Sequence, residues 1–232
     1  MAKVERKYWN PEIETMPLDK LKRLQEERLQ STVARAYEKS AFYHRKFDAA
    51  GVKPGDIRTI EDVRKLPLIE DAEFRATPLT ERLTTPFSEV KKICSSGGTT
   101  GIPSPLPRTA QDWEDIVEGN ARTFWTAGIH PGDIVQVRQM YECIGLALAR
   151  MGVSSLTICA GRGFMDNQIR LAQMMDATII IDGPSLLLQY LRRAEELGIY
   201  IKDTKLRGAW VLGEGWSKGK REAAVKRTRL PI

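Results

Sequence analysis

Short apolar segments alternate with helical patterns between residues 134 and 212, and this alternation restricts the fold more than any other feature of the sequence. The predicted strands are Ile134–Val137, Leu156–Cys159, Thr178–Ile181 and Ala209–Leu212, and the predicted helices are Tyr141–Met151, Asp166–Met175 and Ser185–Leu197. Apolar strands that alternate with helices are typical of a parallel sheet covered by helices. The sequence therefore predicts an α/β fold with a mostly parallel sheet, whose ligands bind at the carboxyl ends of the strands.

A helical segment precedes this region. Apolar residues recur at helical spacing from Leu18 to about Ser40, and they are Leu18, Leu21, Leu24, Leu29, Val33 and Ala36. Such spacing predicts an amphipathic helix that packs one face on a partner surface. Shorter helices are predicted around Phe42–Phe47 and after Thr59, where Pro67 ends the pattern.

Composition and hydrophobic patterning exclude several classes of protein. The 232 residues are 42% hydrophobic, which is enough for a real core and excludes a disordered chain. Apolar runs do not reach membrane-spanning length and the first residues have no apolar core, so we expect a cytoplasmic protein without a membrane partner. Cys94, Cys143 and Cys159 are too widely spaced for a disulfide framework or a zinc site, and no metal ligand is assigned.

The net charge of +6 is concentrated near the C-terminus. Six basic residues and one acidic residue after position 217 account for five of the six net positive charges, namely Lys218, Lys220, Arg221, Lys226, Arg227 and Arg229 against Glu222. No aromatic residues are interleaved with them, so a nucleic-acid partner is not favoured. We expect a basic helix or tail that is solvated or contacts more protein.

A loop rich in hydroxyl groups and glycine comes after a strand predicted at Val90–Ile93. Its residues are Ser95, Ser96, Gly97, Gly98, Thr99, Thr100 and Gly101. Glycines let consecutive amides converge on one anion and hydroxyls add uncharged donors, so this composition suits a phosphate. A flexible linker is the alternative, although Pro103, Pro105 and Pro107 stiffen the segment after the loop. A Walker loop is excluded because Ile102 stands where lysine is required.

The run from Ser95 to Pro103 resembles the phosphate-binding loop of the adenylate-forming superfamily, in its phenylacetate–CoA ligase branch. The segments Ser40–Tyr43, Lys46–Gly51 and Leu66–Pro67 precede the loop in the order typical of that branch. One extra glycine stands in the loop, and the lysine often found near its end is missing. The resemblance implies that the residues from Ser95 to Gly101 bind the phosphates of ATP.

A second stretch, Trp210–Ser217, resembles the Gly-Ala-Glu-Pro-Trp segment of the same family. Gly213, Glu214 and Trp216 match that segment, and Gly215 stands where the proline would be. The resemblance implies that these four residues line the adenine and acyl pocket, and we expect both loops at one carboxyl edge of the sheet. The alternative is that Trp216 anchors the basic helix and Glu214 caps it. Dinucleotide and Walker patterns are not favoured, because the glycine spacing does not fit either.

The family reaction, in which a carboxylate and ATP form an acyl-adenylate that CoA then converts to an acyl-CoA, implies ATP, Mg²⁺, CoA and a small-molecule carboxylate. The family's Mg²⁺ ligand, its ribose-binding aspartate and its catalytic lysine have no counterpart in this sequence, and no catalytic residue is assigned. We therefore expect the N-terminal part of such a ligase, inactive alone. We expect an exposed sheet edge where the missing half would bind. Either self-association or a separate chain that supplies the C-terminal half should cover this edge.

Three alternatives stay open. The chain is either a non-catalytic nucleotide or acyl-adenylate binding module, part of a synthetase that adenylates a deazaflavin coenzyme, or a structural or nucleic-acid-associated protein that only inherits the fold. The predicted organisation is a helical segment over 1–85, an α/β nucleotide-binding subdomain over 86–217, and a basic C-terminal helix or tail over 218–232.

Overall fold

A computed structural model describes residues 6–95, 103–137, 142–157, 163–228 and 230–231. The chain divides into two compact units, residues 10–115 and residues 1–9 together with 116–232. The boundaries of these units differ from those of the predicted segments 1–85, 86–217 and 218–232. The predicted domain organisation stays a prediction. In the described ranges, no helix is both long and apolar enough to cross a membrane.

The unit of residues 10–115 begins with helices, as predicted. Its helices are α1 (Pro11–Glu14), α2 (Leu18–Lys39), α3 (Ala41–Ala49), α4 (Asp71–Ala76) and α5 (Leu79–Arg82), with 3₁₀ turns at Pro54–Asp56, Ile60–Lys65 and Phe87–Glu89. Val33 of α2 is buried against Phe47, Val52 and Ile57, which gives the amphipathic helix its partner surface. Ser40 separates α2 from α3, and its hydroxyl accepts a hydrogen bond from the Tyr43 amide at 3.4 Å.

A two-stranded hairpin comes next in the same unit. Strand β1 (Val90–Ser95) pairs antiparallel with β2 (Pro105–Thr109), and Ile93 lies opposite Pro107. The expectation that the loop after Ile93 lies at the edge of the same parallel sheet as the loop after Leu212 is therefore wrong. β1 belongs to this separate hairpin, because its partner is the proline-containing segment that comes after it in sequence rather than another strand of the series.

The second unit contains the predicted α/β alternation. Its elements are α6 (Ala110–Thr126, which begins in the first unit), β3 (Ile134–Val137), α7 (Glu142–Arg150), β4 (Ser154–Leu156), α8 (Phe164–Met174), β5 (Ile179–Asp182), α9 (Pro184–Glu196), a 3₁₀ turn (Ile201–Asp203), β6 (Gly208–Val211) and α10 (Lys218–Thr228). Within the described residues the four strands β3 to β6 form one parallel sheet in the order β4-β3-β5-β6. The predicted α/β fold is confirmed, although β4 begins two residues before the predicted strand.

Helices cover both faces of this sheet. Ile180 of β5 packs in a cluster with Ile169 of α8 and Leu187 of α9. On β6, Ala209 and Val211 pack against the same cluster. Trp210 lies between them in sequence, and its ring meets Phe124 of α6 edge-on at a centroid distance of 6.0 Å. Successive side chains of a strand point to opposite faces, so α6 covers the face opposite α8 and α9.

Candidate functional site

The carboxyl ends of β5 and β6 lie side by side, since Asp182 pairs with Val211 at the end of the parallel ladder. β5 leads directly into α9, with Gly183 at its N-cap and Pro184 at its first position. Proline suits this position because its fixed φ fits a helix and its missing N–H would have no partner there. Asp182 is buried, and its carboxylate accepts a hydrogen bond from the Gly183 amide at 2.8 Å.

Glu214 connects the loop after β6 to the start of α9. Gly213 has φ of +86°, a left-handed angle that glycine adopts without strain, and the chain turns there. The Glu214 carboxylate then accepts a hydrogen bond from the Ser185 amide at 3.1 Å and another from the Ser185 hydroxyl. A carboxylate at a helix N-terminus is stabilised by unpaired amides and by the helix dipole. Glu214 therefore caps α9.

Gly183 leaves little room for a side chain at this contact. A Cβ at Gly183 would lie 3.1 Å from Oε1 of Glu214, which is closer than most such contacts in proteins. The turn Gly183–Ser185 and the loop Gly213–Trp216 are thus fitted against each other. The loop Gly213–Trp216 resembles the family, but nothing in the sequence indicates that it touches the start of α9.

Trp216 attaches the end of the loop to the core. It is partly buried and packs on the apolar cluster that α8 and α9 share. Its indole Nε1 is buried without a hydrogen-bond partner among the described residues. The basic helix α10 has its own cap, since the Lys220 amide donates to the Ser217 hydroxyl at 3.4 Å. Of the alternative roles considered for this loop, capping of the basic helix by Glu214 stays a prediction, while the hydrogen bonds described for its carboxylate go to Ser185 of α9.

The predicted phosphate loop lies almost wholly outside the described residues. Ser96, Gly97, Gly98, Thr99, Thr100 and Gly101 fall in the range that the structure does not describe, and Ser95 is the last residue of β1. Ser95 is exposed and lies opposite Pro105 of β2. ATP binding by this loop therefore stays a prediction.

The described residues offer no donor set for a metal. Among them, no group of three or more His, Cys, Asp or Glu side chains is placed to hold a metal ion. We therefore assign no Mg²⁺ ligand among the described residues.

A buried charge network at the opposite edge of the sheet was not predicted. The Asp133 carboxylate accepts hydrogen bonds from Arg207 at 2.6 and 3.0 Å, from the Thr178 hydroxyl at 2.7 Å and from the His130 amide at 2.9 Å. Burial raises the pKa of Asp133, but these hydrogen bonds outweigh it and hold the pKa below its ordinary value. Asp133 precedes β3 and Arg207 precedes β6, so the network joins amino ends of strands and is structural.

No family model matches the chain. Curated relatives are phenylacetate–coenzyme A ligases from Escherichia coli (32% identity, 93% of this chain and 50% of the relative), Aromatoleum evansii (31%, 94% and 50%) and Thermus thermophilus (29%, 92% and 49%). The chain spans about half the length of these relatives.

Solved structures give the same picture of the fold. A 2-hydroxyisobutyryl-CoA ligase in complex with 2-HIB-AMP and CoA has a TM-score of 0.87 at 23% identity, over 99% of this chain and 51% of that one. The postadenylation state of the same ligase with 2-HIB-AMP has a TM-score of 0.87 at 22% identity, over 100% and 51%. These comparisons confirm the resemblance predicted from the sequence. Over nearly its whole length, this chain corresponds to about one half of a ligase of the phenylacetate–CoA ligase branch of adenylate-forming enzymes.

Proposed function

We propose that this chain supplies the ATP-phosphate loop and one wall of the adenine and acyl pocket of an acid–CoA ligase. In the proposed reaction a carboxylate oxygen attacks the α-phosphorus of ATP, and pyrophosphate leaves as the acyl-adenylate forms. The thiol sulfur of CoA then attacks the acyl carbon, and AMP leaves as the thioester forms. The substrates are ATP, CoA and a small carboxylate.

The contact between Glu214 and Ser185 carries this proposal. It fastens the loop Gly213–Trp216 to the start of α9, at the carboxyl ends of two adjacent parallel strands, where ligands bind in open α/β sheets. Because the carboxylate is held by α9, the backbone of Gly213 and Gly215 is left to line the pocket. Trp216 holds the other end of the loop on the core.

The residues Ser95 to Gly101 are proposed to bind the β- and γ-phosphates. β1 ends at Ser95 and β2 begins at Pro105, so the proposed loop joins two strands whose antiparallel pairing fixes its two ends. Hydroxyl and amide donors that are positioned before the reaction stabilise charge without reorganising.

The 232-residue polypeptide alone is proposed to bind ATP without forming acyl-CoA. The resemblance places the catalytic lysine and the Mg²⁺ ligand in segments that this sequence does not match. One positioned electrostatic donor is worth about 3 kcal/mol in such sites, so loss of two would slow the reaction by roughly four orders of magnitude.

Pyrophosphate release tests the proposal. The chain is mixed with ATP, Mg²⁺ and phenylacetate, with and without the separately produced half of the Escherichia coli relative that it does not match. We expect release only in the mixture, with the unmatched half alone as the control. Release by the 232-residue chain alone would contradict the proposed inactivity, and no release in the mixture would count against a shared active site.

A further inference from the structure

A groove of about 430 Å³, here called the arginine groove, lies within the unit of residues 10–115. It is lined by α2, α3 and the segments 66–69 and 82–84. The apolar part of its lining includes Val33, Phe47, Leu66 and Ile69, and the polar part includes Thr32, Thr84, Arg35 and Arg82. Its size and its mixture of apolar walls with a few polar groups are typical of a small-molecule site.

The two arginines of this groove have no anionic partner. Arg35 follows Thr32 by three positions on α2, so both side chains lie on one face of the helix. Arg82 ends α5, and its guanidinium lies on the Phe74 ring at 4.3 Å from the centroid. Neither guanidinium forms an ion pair with a described residue, and Nε of Arg82 is buried without a hydrogen-bond partner among them. A buried donor without a partner indicates a missing acceptor.

The carboxylates around these arginines do not neutralise the groove. Glu81 pairs with Arg45 at 2.5 Å. A second groove of about 580 Å³ shares Arg35 with the first, and Glu89 and Asp112 line only this second groove. Among the described residues that line the arginine groove, the charged side chains are all cations. An anion is therefore attracted to the arginine groove rather than to its neighbour.

The second groove also shows that the arginine groove is separate from the proposed phosphate loop. The two grooves meet at Arg35 and Thr84, and the second one reaches Lys91 and Thr109. These last two residues lie at the start of β1 and the end of β2. The proposed phosphate loop follows Ser95, at the other end of the hairpin. A ligand in the arginine groove would thus occupy a different site.

We propose that the arginine groove binds an organic phosphate, namely a phosphate monoester with a small apolar body. Arg35 and Arg82 bind the phosphate oxygens, because the planar guanidinium matches a phosphate with two parallel hydrogen bonds. The apolar body packs on Val33, Phe47 and Leu66. A phosphate monoester carries between one and two negative charges at neutral pH, so it matches two cations better than a carboxylate does. This site goes beyond the proposed ligase reaction and does not depend on it.

Calorimetric titration of the 232-residue chain with phenyl phosphate tests the site. We expect saturable binding, which Arg35→Gln together with Arg82→Gln should weaken at least tenfold. The control Arg28→Gln with Arg64→Gln removes the same charge from exposed positions outside the groove and should leave the Kd within twofold. Absence of saturable binding at millimolar phenyl phosphate, or equal weakening by both double variants, would overturn the proposal.

Three comparisons test the chemistry of the ligand. Inorganic phosphate lacks the apolar body and should bind at least tenfold more weakly than phenyl phosphate. Phenylacetate carries a single charge and should also bind more weakly, so equal affinity for either compound would overturn the choice of an organic phosphate. Thr99→Ala with Thr100→Ala should leave the affinity for phenyl phosphate unchanged. Loss of binding in that variant would place the phosphate in the proposed loop and would overturn a separate site.

Arginine modification of the wild-type chain makes the test independent of how the variants fold. Phenylglyoxal reacts with accessible guanidinium groups, and mass spectrometry of peptides reports the rate at each arginine. Phenyl phosphate should slow the modification of Arg35 and Arg82 at least tenfold and leave the rates at Arg28 and Arg64 unchanged. Equal protection of all four arginines, or protection of neither Arg35 nor Arg82, would overturn the assignment of this groove.

Discussion

Replacing Asp133 with Asn tests how the amino ends of the parallel strands are held together. The Asp133 carboxylate is 9% exposed, while its partner Arg207 is 49% exposed. Removing one member of a buried ion pair costs about 3–5 kcal/mol, but the guanidinium can return partly to water here. The asparagine also keeps the shape and one acceptor oxygen. We therefore expect a loss of about 2–3 kcal/mol in the free energy of unfolding.

Urea unfolding followed by tryptophan fluorescence measures this loss. With an m-value of about 2–3 kcal/mol/M, the midpoint should fall by about 1 M while m stays unchanged. Asp203→Asn is the matched control, because Asp203 is exposed, and its effect should stay within about 0.5 kcal/mol. If the two variants unfold at the same urea concentration, the network does not stabilise the sheet as argued.

The pH dependence of the free energy of unfolding provides a second test of the role of Asp133. The pKa of Asp133 is lower in the folded chain than its ordinary value, so the unfolded state binds more protons in acid. The stabilisation is complete above the ordinary aspartate pKa of about 3.9 and is lost as the pH falls through the lowered folded value. Asp133→Asn should therefore flatten the decline in stability between about pH 5 and pH 2, measured by urea midpoints. An unchanged slope would contradict this assignment.

Three further predictions concern the α/β unit. Leu191→Ala removes a side chain that is 2% exposed in the core and should cost about 2–5 kcal/mol in urea unfolding; a loss below 1 kcal/mol would show that the site collapses freely. Gly183→Ala places a methyl group 3.1 Å from the Glu214 carboxylate and should weaken ATP binding several-fold in calorimetry with little change in Tm. Unchanged affinity would show that the position of Glu214 does not affect ATP binding. Arg193→Ala breaks a paired contact with Asp166 at 2.6 and 2.7 Å between α8 and α9, and it should lower Tm less than Asp133→Asn does, because both side chains are partly exposed.

Most of the secondary structure could be predicted because hydrophobic periodicity dominates it. The strand Ile134–Val137 was placed at its observed bounds. α2 begins at the predicted residue and ends about one residue early, and α9 is shifted by one residue at each end. The core buries Leu187 and Leu191 of α9, whereas α2 buries only Val33 among its described apolar residues. Where packing agrees with the local pattern, the sequence is sufficient.

The hairpin could not be predicted from the same signals. β2 contains Pro105 and Pro107, which indicate a stiff irregular segment rather than a strand. Proline is tolerated in an edge strand where its missing N–H is not needed, and β2 has β1 as its neighbour on one side in the described hairpin. Whether a proline-containing segment can form a strand therefore depends on which strand lies next to it, and the tertiary structure decides this.

The candidate site was predictable as residues but not as contacts. The resemblance identified Glu214, yet its hydrogen bonds to Ser185 join positions 29 residues apart and depend on β5 and β6 being neighbours. Asp182 carried a usable signal, since it is a polar residue at the carboxyl end of an apolar strand. The network of Asp133 and Arg207 carried none, because its members are 74 residues apart.

Calorimetric titration of the 232-residue chain with ATP, with and without Mg²⁺, tests the central claim most directly. We expect saturable binding that Thr99→Ala and Thr100→Ala together weaken at least tenfold. The control Thr15→Ala with Thr123→Ala removes two exposed hydroxyls, each of which donates to a backbone carbonyl four residues earlier, and it should leave the affinity unchanged. Absence of binding at millimolar ATP, or equal affinity in the Thr99 and Thr100 double variant, would contradict the assignment of a nucleotide site to this chain.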